Sequence, residues 1–274
     1  MAIVPDTSII LSDGAAMPQL GLGVWETPAD ETERVVRDAL EAGYRAVDTA
    51  AIYGNEEGVG RALEGRDDVF VTTKLWNNDQ GYESTLRAFD ESISKLGLDT
   101  VDLYLIHWPA PSRDLYVDTW RALIQLKEDG RARSIGVSNF RPEHIDRLIA
   151  ETGVIPAINQ IELHPRFQQR EARAFHALHN IATESWSPLG KAQFIDNPVL
   201  TEIAERHGKT AAQIIIRWHL DCGLVVIPKS VRPERLRENI DVFDFSLSDQ
   251  DLAAIAQLDS ADGRIGPDPL TATF

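Results

Sequence analysis

The chain has 274 residues, with 27 Lys+Arg against 43 Asp+Glu for a formal net charge of −16. That balance opposes non-specific binding to nucleic acid or to an anionic membrane, so neither is an expected partner. Hydrophobic residues make up 43% and charged residues 26%, which suits a soluble globular protein with a large core and leaves little room for long disorder.

A (β/α) barrel commonly runs to about 250 residues as one unit, so a single domain over residues 1–274 is expected. Cys222 is the only cysteine, which excludes an intrachain disulfide and allows a reducing compartment. Its expected place is a helix, as a small buried apolar residue. The stretch Met1–Asp6 has no basic segment followed by an apolar core, and no apolar run has membrane-spanning length. The expected address is the cytoplasm.

In chain order, Ile9 to Met17 carries Asp13-Gly14 between short apolar pieces, the pattern of a β-hairpin that plugs one end of the fold. Gln19 to Trp25 reads as a first strand, and a helix follows to Ala42 with Thr27 as N-cap, Pro28 in the first turn and Gly43 at its end. The alternation then repeats. Strands are expected at 45–48, 69–74, 101–107, 132–137, 157–162, 181–186 and 223–228. The helices between and after them are expected at 56–63, 82–96, 118–128, 142–150, 169–179, 198–207, 211–220 and 233–240. About eight β/α units close a (β/α)8 TIM barrel of the α/β class. An extra C-terminal helix over 248–258 opens with a Ser-x-x-Asp capping box and packs outside, and the tail 259–274 is a loop able to fold over the mouth.

Three of the apolar runs end in residues that hydrocarbon would reject: Asp48, Lys74 and His107. Parallel strands covered on both faces read as apolar runs, and barrel chemistry sits at their carboxyl ends. A single strand-end Asp or Lys is ordinarily a helix cap or a surface residue, and a lone His a packing residue. Three in succession point to one shared mouth, and the loop leaving Asp48 is short enough to carry the phenol of Tyr53 there.

Asp48-Thr-Ala-Ala-Ile-Tyr53-Gly-Asn-Glu56, Lys74, Ile106-His107-Trp108-Pro109, Gly136-Val-Ser-Asn-Phe140, Asn159-Gln-Ile-Glu-Leu-His-Pro165 and Ile227-Pro-Lys-Ser230 together resemble the aldo-keto reductases, nearly end to end. Trp76, Glu184-Ser-Trp-Ser-Pro-Leu-Gly190 and Val242-Phe-Asp-Phe245 resemble most the bacterial 2,5-diketo-D-gluconate reductases. The resemblance implies a barrel that binds NADPH without a Rossmann fold. The sequence agrees independently, because neither Gly21-x-Gly23 nor Gly58-Val-Gly60 continues into the Gly-rich dinucleotide fingerprint.

The implied reaction is reduction of a small-molecule carbonyl, aldehyde or ketone, keto-sugars and dicarbonyls included, to the alcohol. Asp48, Tyr53, Lys74 and His107 would form the catalytic tetrad. A phenol of pKa about 10 needs a nearby ammonium to lower it if it is to act as general acid near neutrality. Lys74 is expected to do this, with Asp48 orienting the amine and His107 directing the substrate oxygen.

For the cofactor, the resemblance implies Ser138, Asn139 and Gln160 at the nicotinamide carboxamide, and Trp186 stacked on the ring where most members carry tyrosine. Gly23, Ser187, Leu189 and Ile227 would complete the cofactor site, and Glu238 and Asn239 would meet the adenine. Lys229, Ser230, Val231, Arg232 and Arg235 lead from the last strand into a helix, where barrels frequently bind phosphate. Arg232 and Arg235 favour a 2′-phosphate, hence NADPH over NADH. Trp25, Trp76 and Trp108, with His107, are expected to wall the substrate site, although core packing competes for each tryptophan. His176-x-x-His179 has no carboxylate or Cys at metal-ligand spacing, so no metal is expected.

Two rival readings stay open. A strand-end Lys beside a phosphate site also describes a Schiff-base aldolase with Lys74 as nucleophile. A barrel that binds NADPH without turning over is the other, and a monomer is expected in every case.

Overall fold

The computed structural model describes residues 7–272. The stretch Met1–Asp6 and the tail residues Thr273 and Phe274 lie outside the described residues.

Ser8–Ile10 (β1) and Ala16–Pro18 (β2) pair antiparallel, with Ile9 opposite Met17. The reversal uses Asp13-Gly14: Gly14 sits at φ +91°, open to glycine, and Asp13 Oδ1 accepts the Ala15 N–H at 3.3 Å. Leu11 and Met17 are buried against Ala46, Phe70, Leu103 and Val225 near the starts of the parallel strands, so the hairpin plugs the barrel floor as expected.

Eight parallel strands follow: β3 Leu22–Gly23, β4 Ala46–Asp48, β5 Phe70–Leu75, β6 Val101–Ile106, β7 Ala132–Ser138, β8 Ile158–Glu162, β9 Ala182–Trp186 and β10 Val225–Val226. Each pairs with the next in sequence. The two edges then meet: Leu20 bridges Val226, Gly21 N donates to Val226 O at 3.0 Å, and Val226 N donates to Gln19 O at 2.8 Å. The sheet curls into the expected (β/α)8 barrel. Its seam corrects two strand lengths, because the runs 19–25 and 223–228 keep ladder geometry over only two residues each. The backbones cross closely there, and a Cβ on Gly23 would fall 2.8 Å from Ile227 O.

The helices are α1 Ala29–Ala42, α2 Glu56–Leu63, α3 Tyr82–Leu96, α4 Tyr116–Glu128, α5 Pro142–Thr152, α6 Arg170–Leu178, α7 Pro198–His207, α8 Ala211–Asp221, α9 Pro233–Ile240 and α10 Asp249–Ala256. Helix α1 buries Val35, Val36, Ala39 and Leu40, the three-to-four spacing of an apolar stripe. Thr27 is not its N-cap: Pro28 occupies that position in extended geometry, and the Thr27 carbonyl accepts from Asn55 Nδ2 at 3.3 Å. Helix α4 starts two residues earlier than the pattern suggested, because Tyr116 and Val117 are buried. The Ser248–Asp251 capping box opens α10, whose Ile255 joins Leu200, Ile203, Ile214 and Trp218 in a second apolar cluster outside the barrel. Cys222 caps α8 and is half-buried.

The described part of the tail does reach the mouth. Ile265 N and Gly266 N donate to the two carboxylate oxygens of Glu162 at 2.6 and 2.9 Å. A Cβ on Gly266 would fall 2.4 Å from the ring of Trp186. Among the described residues, no helix is long and apolar enough to cross a membrane.

Candidate active site

Strand β4 ends on Asp48, Lys74 is the penultimate residue of β5, and His107 follows β6, so parallel pairing alone brings the three to one end of the barrel. Lys74 is fully buried, and its Nζ donates to Asp48 Oδ1 at 2.6 Å and to Thr49 O at 2.9 Å. An isolated ammonium would be very costly here; the carboxylate and the carbonyl compensate it. Tyr53 rides on a single 3₁₀ turn, Ala51–Tyr53, and its ring centroid lies 5.2 Å from Lys74 Nζ. Asn55 fixes that loop from below. Its Nδ2 donates to Val24 O at 2.9 Å, and its Oδ1 accepts from Thr49 Oγ1 at 2.7 Å.

The ring of His107 meets Tyr53 edge-on at 5.7 Å and Trp76 at 5.2 Å between centroids. Its Nδ1 is buried with no hydrogen-bond partner. Burial, then the charge of Lys74, holds this imidazole well below its ordinary pKa, so it is neutral near pH 7. Burial is the largest single effect on Lys74 and opposes its charge, but Asp48, Tyr53 and Glu184 together outweigh it and the net direction is up. Tyr53 corrects an expectation. Lys74 does pull the phenol down, yet burial is the larger effect and leaves it raised. The protein alone therefore holds Tyr53 as a phenol.

Gln160 of β8 belongs to the same cluster, with Nε2 donating to Asp48 Oδ2 at 2.8 Å and to Glu184 Oε2 at 2.8 Å. Ser138 Oγ donates to Gln160 O at 2.9 Å, and Asn139 Nδ2 donates to His107 O at 3.0 Å. Asn139, in left-handed geometry at φ +62°, also accepts the indole N–H of Trp186 on Oδ1 at 2.8 Å. That bond ties the ring of Trp186 to the strand-end amide.

The remaining cofactor candidates lie at the end of β3 and on the segments that follow β9 and β10. Ser187 holds left-handed geometry at φ +48°, Leu189 is half-buried, and Gly23 and Ile227 face each other across the seam. Lys229, Arg232 and Arg235 are exposed beside the N-terminus of α9, with Ser230 buried and Val231 half-buried between them. Among the described residues neither Arg232 nor Arg235 makes an ion pair, in a protein with a large excess of acid. Two uncommitted guanidinium groups at a helix N-terminus fit a phosphate-bearing dinucleotide. Glu238 accepts from Thr210 Oγ1 at 2.7 Å, which ties it to the start of α8, and Asn239 is buried.

Of the expected substrate walls, Trp76 stands against His107 and Trp25 is exposed beneath the ammonium of Lys191, 4.7 Å from its ring. Trp108 is buried, with its carbonyl held by Gln80 Nε2 at 2.8 Å. His176 bonds Asn159 and Thr183 at 3.0 and 2.9 Å, a packing role. Sequence reasoning assigned no role to Glu184, Thr49 or Asn55. A glutamate inside the strand 181–186 was the available signal for the first.

A buried acid, an ammonium, a phenol and a neutral imidazole at the carboxyl end of a parallel barrel define a barrel enzyme that moves protons. The chain belongs to the aldo/keto reductase family, whose model matches residues 17–260. It is 58% identical over 270 residues to an aldo-keto reductase of Mycobacterium sp. (strain JLS), covering 97% of this chain and 98% of that one. It is also 58% identical over 268 residues to the methylglyoxal reductase DkgA of Yersinia pestis, covering 95% of each. A crystal structure of a Gox0644 variant in complex with NADPH superposes with a TM-score of 0.97 at 58% identity, covering 98% of this chain and 100% of that one.

Proposed function

We propose that this protein reduces small aldehydes and ketones to alcohols with NADPH, dicarbonyls of methylglyoxal size among them. It would act as a cytoplasmic monomer of one domain. The observation that carries this is the contact of Lys74 Nζ with Asp48 at 2.6 Å and with the Tyr53 ring at 5.2 Å, beside an unpartnered His107 nitrogen. The NADPH complex of a close relative and the methylglyoxal reductases at comparable identity support the cofactor and the substrate size.

When bound, NADPH supplies a hydride to the carbonyl carbon. The chain supplies the rest. His107, neutral, donates a hydrogen bond that directs the carbonyl oxygen toward Tyr53, and Tyr53 gives that oxygen its proton. The charge left on the phenol falls beside the ammonium of Lys74, which Asp48 and Thr49 O keep in place. Gln160, Ser138 and Asn139 would hold the carboxamide, Trp186 the ring, and Lys229, Arg232 and Arg235 the phosphates.

A Schiff-base role suits Lys74 poorly, because that nucleophile needs a neutral amine and Asp48 holds this one protonated. The test is NADPH oxidation across aldehydes, α-keto esters, dicarbonyls and keto-sugars, with Tyr53→Phe as control. The substitution should bind NADPH nearly normally and lose reduction by a factor on the order of 10²–10⁴. Wild-type-like turnover would remove Tyr53 from the mechanism. A borohydride-trapped adduct on Lys74 would favour the aldolase instead, and binding without turnover across the panel would favour a non-catalytic role.

A further inference from the structure

Glu184 takes no part in the proton transfer just described, yet it sits within the same cluster. It lies in the middle of β9, fully buried, with Gln160 of β8 and Val225 of β10 as its ladder neighbours. Its Oε2 accepts from Gln160 Nε2 at 2.8 Å, and the same nitrogen donates to Asp48 Oδ2 at 2.8 Å. A primary amide has two N–H hydrogens, so both are committed to carboxyl oxygens. Turning the amide over would aim its carbonyl oxygen at two acids, and the oxygen is therefore held away from them. Glu184 Oε1 has no hydrogen-bond partner. Through Gln160 the carboxyl is linked to Asp48 on β4, Asp48 accepts from Lys74 on β5, and the Lys74 ammonium lies 5.2 Å from the ring of Tyr53 on the loop after β4, while β10 sets only Val225 opposite Glu184.

We infer that Glu184 is a positioning residue for carbonyl reduction: with Asp48 it fixes the amide of Gln160, and its charge sets how firmly Tyr53 holds its proton. The second half rests on Tyr53 being the acid. Burial, then the nearby Asp48, pushes the Glu184 carboxyl up to about 8. It is protonated near neutrality and loses its proton to solvent as pH rises. The new negative charge then opposes formation of the phenolate. Reduction, which needs the phenol, persists to higher pH, and alcohol oxidation, which needs the phenolate, starts at higher pH.

Glu184→Gln keeps an acceptor for Gln160 and removes the charge; Glu184→Leu removes both. In Glu184→Gln, NADPH affinity by fluorescence titration should stay within roughly two-fold of wild type, since the hydrogen bond remains. The alkaline limb of reduction and the acid limb of oxidation should both move to lower pH. The cofactor-free protein gives an independent reading. A carboxyl raised when folded makes wild type lose stability as pH rises from about 4.5 to about 8, so the Tm advantage of Glu184→Gln should grow across that window. In Glu184→Leu, NADPH binding should weaken roughly ten-fold, the scale of one hydrogen bond. Unmoved limbs with parallel melting curves would overturn the inference, and Glu184→Gln decides alone if Glu184→Leu does not fold. Wild-type-like turnover by Tyr53→Phe would overturn the tetrad roles and this one with them; a dead Tyr53→Phe beside unmoved limbs sinks Glu184 only.

Discussion

A buried ammonium and a buried carboxylate hold each other in place, so neither can be deleted alone without leaving the other uncompensated. Lys74→Met should therefore cost about 3–5 kcal/mol in urea unfolding, well beyond an ordinary surface substitution. Reduction should fall with it, and Tyr53, relieved of the one cation that pulls it down, should titrate higher still. An unchanged rate and pH profile would separate Tyr53 from Lys74. Asp48, Lys74 and His107 were legible in the sequence because each interrupts an apolar run where a parallel strand ends. Glu184 was only half legible: a glutamate inside a strand marks it, but its partner is set by the β8–β9 register that puts it beside Gln160. The direction of the Tyr53 shift was illegible too, since a neighbouring charge can be guessed from spacing but the depth of burial cannot.

Helix α9 carries the two free guanidinium groups at its start, and α8 opens on a residue that reaches across to it. Arg235→Ala should weaken NADPH binding roughly ten-fold or more, the loss of one charge-assisted contact, and NADH much less. Equal losses for both dinucleotides would move Arg235 from the 2′-phosphate to a role in folding. Thr210 caps α8 through Gln213 and donates to Glu238 on α9. Thr210→Ala should cost about 1 kcal/mol of stability and loosen Glu238, both measurable in one set of melts with and without NADPH. Element order and type were readable along the barrel, because continuous apolar strand runs alternate with stretches of helical period. Ends were less so: Thr27 has the composition of a cap, but the Asn55 side chain draws its carbonyl into the loop beneath Tyr53.

Over the whole molecule, buried titratable groups pull stability in opposite directions with pH. His107 is held well below its ordinary value, and His176 and His219 are each lowered to about 4, burial being the main cause in all three. The unfolded chain binds those protons first, so their contribution is complete above about pH 6.5 and is lost as pH falls toward 4, by about 3 kcal/mol for each of the last two. Glu184 acts in the other sense, costing stability as pH rises to about 8. Unfolding free energies measured across pH should peak slightly on the acid side of neutrality, and a plateau from about pH 4 to 8 would contradict these burials. The seam between β3 and β10 has a different kind of consequence. Gln19 reaches Leu224 across 205 positions of chain. At about 5–20 residues per second, a ribosome leaves the β3 edge without its partner for on the order of 10–40 s. During that interval the early β/α units expose an unpaired strand to any other nascent copy, so the hazard this protein faces in a crowded cell is set by translation speed rather than by the stability of its finished barrel.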